Sequence, residues 1–128
     1  MRFRNLAGIG TLAALLVLAA AAGAHVVKYK TDGVDINYDG GSTTFSGKVS
    51  AGKAACRSNR KVEVLSDAPG VDTVVGSTRT NSAGEWTVNA VNLAPTEYYA
   101  NADRKTIKLT VDHRHICTAV RSQSIAAP

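Results

Sequence analysis

Aromatic residues are scarce in this 128-residue chain, which carries one Trp, two Phe and four Tyr. A core with so few rings must lean on aliphatic side chains, and a surface for stacking bases in series would lack platforms. Cysteine is scarcer still, with only Cys56 and Cys117. There is no C-x-x-C and no neighbouring ligand pattern, which argues against a zinc finger or a thioredoxin-type redox centre. No G-x-S-x-G elbow occurs either, so Asp112-His113 has no evident nucleophile to serve. Beyond residue 24 no segment sustains a helical period, apart from a single turn inside a loop.

What the first residues do carry is an export pattern. Met1-Arg2-Phe3-Arg4 is a basic start, Leu6 to Ala22 is uncharged and rich in Ala, and Ala22-Gly23-Ala24 has the small-x-small form of a signal-peptidase site. Cleavage is expected after Ala24, with Ala20 and Ala22 as alternative sites, and would make His25 the new amino terminus. With no twin-arginine pair and no lipidation Cys, the expected product is a released, secreted chain that makes no membrane contact once the leader is gone. His25 to Pro128 is one domain's worth of residues, and without Arg2 and Arg4 it holds 13 Lys or Arg against 10 Asp or Glu. That mild excess is spread along the chain. Lys28, Lys30, Arg57, Arg60, Lys61, Arg104, Lys105 and Lys108 read as solvated residues, and no nucleic-acid footprint is expected.

Within the exported part, short alternating runs are separated by turn signals about every 8 to 12 residues, the mark of an antiparallel β-sandwich of about seven strands. Residues 25–42 form an N-terminal arm or first strand, and 43–128 the sandwich. Phe45 and Val49 share a face, as do Val62 and Val64. Thr80-Asn81-Ser82-Ala83-Gly84 reads as a hairpin turn between Thr73–Thr80 and Trp86–Val91, with Gly84 at positive φ. Trp86, Val88 and Ala90 then point one way and Glu85, Thr87 and Asn89 the other. Trp86 is the largest apolar surface available, so the core is expected around it. Tyr98 and Tyr99 should divide between core and surface, Ile107, Leu109 and Val111 should share a strand, and Asp112 to His115 should bend. Asp32, Asp35 and Asp39 fall in or beside turns, where Asp serves the backbone better than calcium.

An exported chain with one cysteine pair is expected to bridge it. Linking Cys56 to Cys117 closes a loop worth roughly 4 kcal/mol in the chain-entropy picture. An immunoglobulin domain would place its Trp on the strand directly after the first Cys, whereas here two strands intervene before Trp86.

Phe45-x-Gly47-x-Val49, Cys56, Arg60-x-Val62-x-Val64, Gly70-x-Asp72, Val75-Gly76-Ser77, Thr80-x-x-x-Gly84-x-Trp86 and Tyr98-Tyr99-Ala100 before Cys117 together resemble small secreted bacterial domains of the carboxypeptidase-regulatory or transthyretin-like kind. The resemblance runs from Thr43 to Ser122. It rests on turns and core, so it implies a prealbumin-like sandwich and not a chemistry. One branch of that group hydrolyses 5-hydroxyisourate and ends in Tyr-Arg-Gly-Ser; here the last residues are Ser124-Ile125-Ala126-Ala127-Pro128, and that activity is not expected.

The expected role is therefore that of a non-enzymatic, monomeric, secreted module with a structural or binding task, no cofactor, and an unidentified extracellular protein or glycan as partner. The alternative is a copper binder. His113 and His115 share a face in extended chain, Asp112 stands beside them, and a processed His25 offers both an amine and an imidazole, a combination that suits Cu(II). Nothing along the chain shows whether His25 comes near the other two.

Overall fold

The structure is a computed structural model that describes residues 23–128; of the leader segment expected over 1–24, residues 1–22 lie outside the described residues. Twelve strands and one short helix follow in order: β1 His25–Tyr29, β2 Thr31–Val34, β3 Asn37–Asp39, β4 Thr44–Ala51, α1 Ala54–Arg57, β5 Lys61–Ser66, β6 Thr73–Arg79, β7 Glu85–Asn89, β8 Thr96–Ala102, β9 Lys105–Lys108, β10 His113–Cys117, β11 Val120–Arg121 and β12 Ile125–Ala127. The fold is all-β and sandwich-like, with more and shorter strands than the seven expected, because single turns and bulges divide the runs. The expected arm supplies β1 to β3, all of them paired in sheets.

One layer is built on β4, which pairs with β2 and β3 along one edge and with β7 along the other. The facing layer runs β11-β8-β5-β6, with β12 also on β8. Phe45, Val49, Val62, Val64, Trp86, Val88, Tyr98 and Ala100 interlock between them as one buried cluster. Alternation along β7 holds as expected, with Trp86 and Val88 buried and Glu85, Thr87 and Asn89 exposed. Gly76 on β6 lets the layers close up, since a Cβ there would overlap the Val88 side chain.

The expected hairpin of β6 and β7 is not formed: β6 pairs with β5, and β7 with β4. The turn has its Gly84 at φ +87°, as anticipated, but it carries the chain from one layer to the other. Asn81 wraps it, its Oδ1 accepting from the N–H groups of Ala83 at 3.0 Å and Glu85 at 2.9 Å. The Gly84 carbonyl then accepts from Val49 N–H at 2.8 Å, which steers the chain onto the edge of β4.

A third sheet, β1-β10-β9, lies beside the sandwich. A smaller cluster of Ala51, Cys56 and Cys117 seats it, with Tyr29 and Ile107 packed alongside. The Cys56–Cys117 disulfide is present with a Cα separation of 5.5 Å, and it ties α1 to β10. Such a bond belongs to a non-reducing environment. Among the described residues no helix is long and apolar enough to cross a membrane.

Several side chains depart from the pattern read along the chain. Arg60 is not solvated; it is fully buried. Its Nε donates to the Asp103 carbonyl at 2.8 Å, Nη1 to the Cys56 carbonyl at 2.8 Å and Thr31 Oγ1 at 3.0 Å, and Nη2 to the Thr118 carbonyl at 2.8 Å. One guanidinium thus fastens β2, α1 and the ends of β8 and β10 together. Burial pushes its pKa down from the usual value, and Asp103 opposes the shift. Tyr98 and Tyr99 are both buried. The Tyr99 hydroxyl donates to Asp72 Oδ2 at 2.6 Å, and the Arg121 guanidinium covers its ring at 3.5 Å, which closes the face expected to be open.

Candidate functional site

The three histidines of the chain meet on the third sheet. β1 runs parallel to β10, with His25 opposite His113, Val27 opposite His115 and Tyr29 opposite Cys117. Parallel partners in register project to the same side, and residues two apart on a strand share a face. His25, His113, His115 and Tyr29 accordingly form a row of rings. Centroid separations are 4.8 Å for His25–His113, 4.9 Å for His113–His115 and 4.9 Å for His115–Tyr29. Lys53 lies over the far end of the row, its Nζ 4.4 Å from the Tyr29 centroid.

The bend expected over Asp112 to His115 falls earlier. Leu109 and Thr110 donate their N–H groups to the His113 carbonyl at 2.9 and 3.1 Å, which closes the turn over 109–112 and leaves His113 as the first residue of β10. Ile107 packs inward from β9, whereas Leu109 and Val111 are exposed at this turn and do not continue the strand. His25 N–H donates to the Asp112 carbonyl at 2.5 Å, so Asp112 fixes the start of β1 through its backbone.

His113 Nε2 and His115 Nε2 are 3.1 Å apart. With metal–nitrogen bonds of about 2.0–2.1 Å, two adjacent ligands are separated by about 2.9 Å on a square and about 3.3 Å on a tetrahedron. The observed spacing falls between the two. It also suits a hydrogen bond in which one ring carries its proton on Nε2, and a metal ion would take that proton's place. Desolvation first, then Lys53, His113 and His25, lower the pKa of His115, which favours the neutral ring with a free lone pair.

Among the described residues no three His, Cys, Asp or Glu side chains form a group that could hold a metal ion. Two imidazoles converge, and further ligands must come from another source. Position 25 offers one, because cutting the Ala24–His25 bond would turn the nitrogen now held by Asp112 into a primary amine. Gly23 and Ala24 are exposed and lie outside any strand.

The remaining candidates are structural. Asp35 Oδ1 accepts from Lys48 N–H, and Asp39 Oδ1 accepts from Gly41 N–H at 2.9 Å, so both serve the backbone. Asp32 is exposed beside an open cleft that Lys48 and Arg57 also line. The parallel pairing of β1 with β10 is what reading along the chain misses, because it joins segments near opposite ends of residues 25–128. Comparison with known proteins returns no family model, curated protein or solved structure that matches this chain.

Proposed function

We propose that the protein is an exported, non-enzymatic β-sandwich whose task is binding, and that its ligand is a Cu(II) ion held on the β1·β10 face. His113 and His115 supply Nε2 atoms, and a processed His25 supplies its imidazole together with its α-amino group. The observation that carries the reading is the register of His25 opposite His113, beside a His113–His115 pair with Nε2 atoms 3.1 Å apart. A set of nitrogen donors that includes an amine favours Cu(II) over Zn(II), both in affinity and in tolerance of a planar arrangement. The non-enzymatic part is supported by how the buried polar groups are used: Arg60, Thr31 and Thr80 bond mainly to backbone, and both cysteines are in the disulfide. The sandwich, its Gly84 turn and its buried Trp86 fit a domain of the carboxypeptidase-regulatory or transthyretin-like kind.

Calorimetric titration of copper sulfate into protein that begins at His25 tests the proposal. One equivalent should bind, and the His113→Ala/His115→Ala double variant should lose at least tenfold in affinity. Absence of stoichiometric uptake by correctly processed protein would sink the metal reading. Turnover of hydroxyisourate or simple esters that disappears with one His substitution would sink the non-enzymatic one.

A further inference from the structure

A second surface stands apart from the histidine row. Lys61 and Arg79 lie directly opposite each other on β5 and β6. Like charges at paired positions oppose sheet formation, so this pair works against the fold. The Lys61 ammonium is engaged by Glu63 at 2.9 Å and Asp103 at 3.6 Å. Arg79 donates only to the Asn59 carbonyl at 3.3 Å, and among the described residues neither it nor Arg104 forms an ion pair. Lys105 donates to the carbonyls of Ala55 at 2.8 Å and Ser58 at 2.7 Å, and the buried Arg60 behind it bonds to carbonyls and one hydroxyl. Neutral acceptors satisfy a cation's hydrogens and leave its charge standing.

Five cations therefore gather around two carboxylates, Glu63 and Asp103. The local surplus of three positive charges equals that of the whole exported part. Lys61, Arg79, Arg104 and Lys105 line one open cleft together with the neutral Asn59 and Thr106 and a single carboxylate, Asp103, which already faces Lys61. No aromatic side chain lines it, so it offers charge and hydrogen bonds but nothing for a nucleobase to stack on.

We propose that this cleft binds an oxyanion group of an acidic glycan, a sulfate or carboxylate clasped by Arg79 and Arg104 with Lys61 beside them. Arg is suited to this role because its planar fork meets two oxygens at once. The site stands on different residues from the metal face and does not depend on it.

Titration of the intact domain with a sulfated oligosaccharide, a polyuronate and inorganic sulfate, each at two ionic strengths, tests the assignment. At least one glycan should bind, with affinity that falls as salt rises. The Arg79→Gln and Arg104→Gln variants, both at exposed positions, should each weaken it about tenfold, as loss of one charge-assisted contact implies. Lys48→Gln, on another sheet, should leave it unchanged. If neither glycan binds, or if all three variants bind alike, the proposal is overturned. A single-stranded oligonucleotide of matched charge that binds tighter than either glycan overturns the glycan assignment, and free sulfate that binds as well as the sulfated oligosaccharide overturns the role of the sugar.

Discussion

Replacing Arg60 by Met keeps most of the buried stem and removes the guanidinium. Four acceptors then lose a donor, but not equally. The Thr118 carbonyl keeps the Thr31 hydroxyl at 2.5 Å, and Thr31 Oγ1 remains satisfied as that donor. The carbonyls of Cys56 and Asp103 lose the bonds they accept from Arg60, both 2.8 Å long. Each buried acceptor left without its partner costs about 1–3 kcal/mol. Against this, the variant no longer has to desolvate a guanidinium, a recovery that in some proteins makes apolar replacement of a buried charge neutral or stabilising. Here the carbonyls come from segments that this side chain joins alongside the disulfide and Lys105, and they cannot turn to water without opening the seam between sandwich and third sheet. The net expectation is a loss of about 3 kcal/mol, with Arg60→Lys in between because an ammonium cannot reach all four acceptors in their fixed directions. Urea unfolding with the disulfide intact, fitted for both midpoint and slope, measures it. A variant within about 0.5 kcal/mol of the parent, or one that is more stable, would refute the reasoning.

Three further outcomes are expected. Changing Cys56 and Cys117 together to Ser should cost about 4 kcal/mol by the loop-entropy relation, read as a lower midpoint in the same assay; a loss under about 1 kcal/mol would mean that the seam is held without the disulfide. Gly84→Ala should cost about 1–3 kcal/mol, since it places a Cβ at φ +87° against the Val49 carbonyl, and a neutral result would show that the turn can relax. Stability should also fall at alkaline pH. The hydrogen bond to Asp72 and then burial hold the Tyr99 phenol above its usual value, and burial does the same for Tyr98. A group raised in the native state stabilises fully below its unfolded value, about 10 for a phenol, and that contribution is lost as pH climbs through the native value. Urea midpoints at several pH values from 8 upward should therefore decline, and Tyr99→Phe should flatten the decline; an unchanged profile in that variant would contradict the assignment.

Local pattern made much of the fold legible. Alternation placed Trp86 and Val88 inside, composition and export context paired the cysteines, and the polar turn required positive φ at Gly84. Arg60 was legible in part, because Arg60-x-Val62-x-Val64 puts it on the inward face. Its charge argues for solvent unless one knows that distant carbonyls converge on it. The partners of β6 and β7 were hidden for a related reason: a turn that hands the chain to another layer looks, residue by residue, like one that folds it back. The site followed the same rule. That His113 and His115 share a face follows from spacing, but the arrival of His25 depends on a parallel pairing across most of residues 25–128, which no local signal encodes.

Electron paramagnetic resonance of one equivalent of Cu(II) added to the protein that begins at His25 bears most directly on the binding role. The predicted spectrum is a single species with splitting from several nitrogens, losing nitrogen couplings when the α-amino group of His25 is acetylated and losing more in the His113→Ala/His115→Ala variant. A signal of aqueous or oxygen-bound copper that all three proteins share would contradict it.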